Sequence, residues 1–246
     1  MIPDLPDNVI RLAPEATFRF GCHPGVACFT ECCRELELAL TPYDILRLKK
    51  RLGVDSSTFL ERYVIIEKDP RNPFPGLYLT MVDDGRASCV FVGERGCRVY
   101  EDRPGACRAY PLGRGVHRTP GGKIRESHVL LRESHCRGFD AGENHTAASY
   151  SADQGLDRYN RFNDRLTAIL QHEKIRRGFL PEKKSADHFV LFLYDLDSFR
   201  SFLTESGYSP DPAHGMDETL ALAGDDERLL ELGMRLLAVE LFGPRK

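Results

Sequence analysis

Eight cysteines dominate the chemistry open to this 246-residue chain. They fall in two runs, Cys22, Cys28, Cys32 and Cys33, then Cys89, Cys97, Cys107 and Cys136. Thiolates close tetrahedral zinc sites or hold iron–sulfur clusters, and both chemistries commonly take four cysteines, so the arithmetic allows one centre or two. The adjacency of Cys32 and Cys33 complicates a partition by sequence order. Neighbouring side chains of an extended segment point to opposite faces, so one of the two could serve the other run. All eight are expected as metal ligands, with an iron–sulfur cluster or zinc as the cofactor and a slight tilt to iron–sulfur for want of histidine partners.

Four of the cysteines are followed directly by arginine, at Arg34, Arg98, Arg108 and Arg137. Between Arg95 and Arg137 ten Lys and Arg stand against four Asp and Glu, a local net charge of +6. Guanidinium groups near thiolates would offset their charge and lower their pKa; an arginine-rich solvated surface explains the same pattern equally well. Cys107 is expected near the amides of a short helix opened by a capped turn, Asp102-Arg103-Pro104-Gly105, which would favour its thiolate. His23 and His135 each adjoin a cysteine, but adjacency alone favours a surface role. His172-Glu173 lacks the second histidine of a zinc-hydrolase helix, and neither a Walker loop nor a dinucleotide GxGxxG is present.

The elements that must position these residues change in texture along the chain. Thr41-Pro42-Tyr43-Asp44 reads as a helix start, with Ile45, Leu48 and Leu52 on one face, Lys49, Lys50 and Arg51 in the last turn and Gly53 as the stop. A second short helix is expected from Ser56 to about Val64. From Asp69 to Leu131, Pro and Gly punctuate extended runs at Leu77 to Val82, Ser88 to Val92 and Ile124 to Leu131. Beyond about Gly142 the period becomes helical: one stripe from Leu156 to Leu170, another from Phe189 to Leu203, and a last helix from about Asp225 to Phe242 stopped by Gly243-Pro244. The fold class is therefore α+β and predominantly helical, an irregular cysteine module with short strands packed against C-terminal amphipathic helices. The expected division is residues 1–145 for the cysteine module and 146–246 for three helices packing on it, or one continuous domain.

At 41% hydrophobic and 29% charged residues the chain can bury a core without help from metal, and a net charge of -3 gives no support to a nucleic-acid partner. The start, MIPDLPDNVIRL, has neither a basic nor an apolar leader segment, and the longest apolar run, Phe189 to Tyr194, is too short for a bilayer. A cytoplasmic location without membrane attachment is the expectation. In a reducing compartment four disulfides are improbable, which moves the prior toward metal or redox chemistry.

The text Cys28-Phe-Thr-Glu-Cys32-Cys33, Leu40-Thr41-Pro42-Tyr43-Asp44-Ile45, Cys89-Val-Phe-Val, Gly96-Cys97-Arg98-Val99-Tyr100 and Arg103-Pro104-Gly105-Ala106-Cys107-Arg108-Ala109-Tyr110-Pro111 resembles the YkgJ-type CxxCxxCC cysteine-cluster family over about residues 20 to 140. The resemblance implies chelation of zinc or iron. The spacing departs from the family name, with five residues between Cys22 and Cys28 and three between Cys28 and Cys32 where two and two are expected. The leading expectation is a metal-binding protein with a redox, metal-handling or partner-docking role and an unknown protein partner. One alternative is a cluster-dependent enzyme such as an S-adenosylmethionine-dependent protein methyltransferase, because a similar cysteine cluster occurs in flagellin lysine methylases. The other is a structural zinc module that presents an interaction surface.

Overall fold

The computed structural model describes residues 5–205 and 224–243. It is 43% helical and 20% strand, the mixed composition of an α+β chain. Two compact units are each assembled from two stretches of sequence, 1–38 with 80–164 and 39–79 with 165–246. The boundary falls inside the helix Asp157–Leu170.

The first unit carries every cysteine. Its largest sheet is antiparallel, with Ile124–Leu131 between Val9–Leu12 and Leu112–Arg118. Val9 lies opposite Leu131, and Arg118 opposite Ile124 at a tight hairpin. The Ile124–Leu131 strand matches its sequence pattern. Its neighbour Leu112–Arg118 was not anticipated, because Gly113 and Gly115 interrupt the apolar alternation; in the sheet they lie against Val129 and Ser127, where a Cβ would crowd. A second antiparallel pair joins Thr17–Phe20 to Glu143–Thr146. Between these sheets Phe18, Phe20, Leu112, Leu130, Ala147 and Tyr150 form a core, with Tyr110, Cys136 and Phe139 packed against it. Removing each of the Phe and Leu side chains from water stabilises the unit by about 2 kcal/mol.

Short elements hold the remaining cysteines. The expected run Leu77 to Val82 is two strands, Gly76–Leu79 and Met81–Val82, because the halves pair with different partners, Val64–Glu67 and Ser88–Cys89. Ser88 to Val92 is likewise divided, and Val92–Gly93 pairs with Gly96–Cys97. The helix bearing Cys107 spans only Gly105–Ala109; Pro104 precedes it with no side-chain cap, and Asp102 ends a separate 3-10 turn instead of capping.

The second unit is helical around one hairpin. Pro42–Leu52 starts with a full capping box, Thr41 and Asp44 exchanging hydrogen bonds, and ends at Gly53 in the left-handed region, as its sequence signals require. Ser56–Tyr63 follows, with Asp55 accepting from the Thr58 amide. The stripe from Phe189 to Leu203 is two helices, Lys183–Leu193 and Leu196–Glu205. Asp195 breaks it: its carboxylate accepts from the Ser56 hydroxyl at 2.7 Å and from the Ser198 amide at 3.4 Å, which starts the second helix. The expected three helices after residue 146 are thus six among the described residues, with Ala147–Asp153 and Glu173–Arg176 as short additions. The last helix, Asp226–Phe242, begins where its acidic cap predicts; Pro244 of the expected stop lies outside the described residues.

Lys49 does not serve as a solvated cation at a helix end. It is buried, 2.7 Å from Asp197 Oδ2 and 3.2 Å from Asp226 Oδ2, while Arg200 reaches Asp197 at 2.7 Å and also bonds Asp226. The Ser56 amide donates to Asp197 as well, at 2.7 Å. Burial works against the Asp197 charge, yet the Lys49 ammonium and the Ser56 amide outweigh it and hold the carboxyl well below its usual range; Asp226 is lowered by the same cations. Among the described residues no helix is long and apolar enough to cross a membrane.

Two outcomes follow from this packing. Gly142 has φ +80°, and a Cβ there would stand 2.2 Å from the Phe20 carbonyl oxygen, so Gly142→Ala should destabilise the first unit by more than about 2 kcal/mol, read from urea denaturation. Lys49→Met should cost the second unit roughly 3 kcal/mol by leaving two half-buried carboxylates with one cation fewer. Because the folded carboxylates have lowered pKa values, the stability they add is present above the ordinary value of about 4 and lost as pH falls below it. Thermal melting from pH 7 to pH 3 should therefore drop more steeply for the native protein than for Lys49→Met.

Candidate metal centre

Cys22, Cys28, Cys32 and Cys136 line one cavity, together with Phe20, Val26, Tyr110, His135 and Gly138. Three of these thiols come from the loop after Thr17–Phe20. The fourth arrives from over a hundred residues downstream, and the local backbone explains how. The Gly21 amide donates to the Gly138 carbonyl at 3.0 Å, and a Cβ on Gly21 would lie 2.7 Å from the Gly142 Cα. Only glycine allows two chains to pass this closely. The Arg137 amide then donates to Cys28 Sγ at 3.1 Å, tying the segment after Cys136 to the first loop. Roughly one water-sized sphere finds room among the side chains that line the cavity.

Of the remaining four thiols, Cys89 and Cys107 interact with Cys33, and Cys97 with Cys89. Arg34 bridges Ser88 in an antiparallel pair and the Glu35 amide donates to the Ala87 carbonyl at 2.9 Å, which sets Cys33 beside Cys89. Cys89 Sγ accepts from the Phe91 amide at 3.5 Å, and Cys97 likewise accepts from the Val99 amide, two residues on in both cases. Backbone donors of this kind stabilise sulfur in its anionic form. Cys97 sits on the short hairpin whose return strand places the Arg98 amide 2.9 Å from the Phe91 carbonyl. Cys107 is close enough to Cys33 for their charges to interact. Cys136 thus lies with Cys22, Cys28 and Cys32 on one cavity wall, while Cys33 is hydrogen-bonded to Cys32 and interacts with Cys89 and Cys107.

The electrostatics of both groups are those of thiols crowded together. Burial, then the neighbouring sulfurs of Cys32, Cys28 and Cys136, push the Cys22 thiol up to about 11 although the residue keeps an exposed edge. Cys33 donates to Cys32, which lowers Cys32 and raises Cys33; burial and the charges of Cys32, Cys107 and Cys89 raise Cys33 further. Burial raises Cys89 and Cys97, opposed in part by Arg98. None of the eight is in a disulfide. Among the described residues no three His, Cys, Asp or Glu side chains converge on a single point as the ligands of one ion.

The arginines that follow cysteines act mainly on backbone. Arg34 donates to the Thr30 carbonyl at 3.2 Å, Arg98 to Val90, and Arg108 to Gln154 and Glu101 at 2.7 and 2.6 Å, bracing the loops that carry the sulfurs. The cation nearest both thiol groups is one the sequence did not single out. Arg103 is buried, stacks 3.9 Å over the Tyr100 ring, donates to the Tyr100 carbonyl and to Gln154 at 2.7 and 2.6 Å, and lowers both Cys22 and Cys97. His23 folds back so that its ring accepts from the Gly25 amide at 3.2 Å, whereas His135 lies on the cavity wall, 3.7 Å from Glu133. Tyr110, Phe20 and Val26 were not foreseen as cavity wall; Tyr110 was visible only as part of the Arg103 to Pro111 block.

Compared with known proteins, the chain matches no curated protein and no solved structure. One family model does match, over residues 21–137, under the description "CxxCxxCC: Putative zinc- or iron-chelating domain". That span holds all eight cysteines and the cavity that four of them line. Residues 21–137 are thus similar to a domain described as chelating zinc or iron.

Proposed function

We propose that this chain is an iron–sulfur protein with a redox role, holding one cluster through Cys22, Cys28, Cys32 and Cys136 and a second metal centre through Cys33, Cys89, Cys97 and Cys107. The observation that carries the reading is the cavity ringed by four thiols from segments far apart in sequence. Burial and the sulfurs of Cys32, Cys28 and Cys136 keep the proton on Cys22 while the site holds no cation. A cation among them reverses that preference.

The ligand type favours a cluster: four cysteines line this cavity, and iron–sulfur clusters are held by cysteine thiolates. In the second group, amide donors to Cys89 and Cys97 suit thiolate ligands of either metal. The adjacent pair Cys32 and Cys33 gives one ligand to each centre, so a single peptide unit links them, an arrangement that suits electron passage. Arg103 supplies buried positive charge toward both groups.

Protein purified without oxygen should be brown, carry iron and acid-labile sulfide, and bleach in air. Cys28→Ser should abolish the first centre and keep the second, whereas Cys97→Ser or Cys107→Ser should do the reverse. A colourless product rich in zinc and free of sulfide overturns the cluster assignment, and a metal content untouched by all three substitutions overturns the ligand sets. Chelator should also lower the melting temperature of the first unit sharply, since binding free energy on the order of 10 kcal/mol per centre is folding free energy. Tight binding of S-adenosylmethionine would instead favour the methyltransferase alternative.

A further inference from the structure

Tyr110 ends the block that carries Cys107, and its side chain turns into the wall of the four-thiol cavity. Two contacts fix it there. Its ring packs edge-on against Phe20 with centroids 6.0 Å apart, and its carbonyl accepts from the Tyr150 hydroxyl at 2.7 Å. The Tyr110 hydroxyl is buried and makes no hydrogen bond of normal geometry. Its polar neighbours are the Cys136 thiol and the Glu133 carboxylate. A buried hydroxyl left unbonded costs about 1–3 kcal/mol, and a metal-bound Cys136 thiolate would be a charged acceptor beside it.

We propose that Tyr110 is a tuning residue of the first centre, its hydroxyl donating a hydrogen bond to Cys136 Sγ once that sulfur is bound to metal as a thiolate. This rests on the metal-centre reading above and adds to it a named donor and a measurable consequence. A neutral thiol is a weak acceptor beside a phenol; a metal thiolate carries negative charge and accepts well. A hydrogen bond to a cluster sulfur stabilises the more negative, reduced state, so it raises the reduction potential.

The test uses the full chain purified without oxygen, with iron, zinc and sulfide measured first. In Tyr110→Phe the ring and its packing on Phe20 remain, so metal content and melting temperature should match the native protein. The midpoint potential of the centre that disappears in Cys28→Ser should move to a more negative value, and the other centre should not move. Replacing Tyr110 with 3-fluorotyrosine, whose phenol is a stronger donor, should shift the same centre the opposite way. Opposite shifts separate a donor from a mere packing role. Should the native protein hold zinc, the cluster reading fails but the donor is still read: in the cobalt(II)-substituted protein the thiolate charge-transfer band should move to lower energy in Tyr110→Phe. Unchanged potentials and bands in both variants, or a native protein that binds no metal at this cavity, overturn the proposal; so does loss of metal in Tyr110→Phe with 3-fluorotyrosine behaving as native.

Discussion

Thiols gathered in one place repel one another as they ionise, and the first unit of this protein is organised around that constraint. Cys22 is held in its protonated form by burial and by three sulfurs nearby, and Cys33 by its bond to Cys32 and by the sulfurs of Cys89 and Cys107. At neutral pH these groups keep their protons, and a cation bound among them would instead favour the thiolates. The buried guanidinium of Arg103 and the amides aimed at Cys28, Cys89 and Cys97 relieve part of the repulsion. A metal centre would relieve the rest, in keeping with a family described by zinc or iron chelation.

The scaffold that imposes this crowding is modest. A three-stranded sheet, one further strand pair and a small aromatic core suffice, because glycine at Gly21 and Gly142 lets distant chains approach to van der Waals contact. Phe20 belongs to the core and to the cavity wall at once, as do Tyr110 and Cys136. Core packing and ligand placement are therefore one problem in this unit: a change that moves Phe20 moves the sulfurs too. The second unit solves a separate problem by other means, with Lys49 and Arg200 paired to Asp197 and Asp226 beneath a helical core.

The loops carrying sulfurs have little regular structure of their own. Their order comes from side chains that reach backbone: Arg34 to Thr30, Arg98 to Val90, Arg108 to Gln154 and Glu101. A planar guanidinium with several donors satisfies carbonyls that no strand or helix covers. That accounts for three of the four arginines that follow cysteines better than charge alone does.

What the sequence by itself determined were features with short range. Thr41, Pro42, Asp44 and Gly53 specify the helix between them, because capping acts over one turn, and Ile124–Leu131 follows from residue types in a single run. The cysteines and their family likewise declare metal chemistry through composition. Tertiary structure alone decided the rest. Cys136 joins Cys22, Cys28 and Cys32 while Cys33 turns to Cys89, because strand pairing and glycine approaches bring together residues more than a hundred positions apart. Lys49, placed by the sequence only in the last turn of its helix, is buried against Asp197, 148 residues away, and Asp195 divides a stripe whose apolar period runs on unbroken. Periodicity and capping are written locally, whereas the distances that choose one sulfur over its neighbour arise only when separate segments meet.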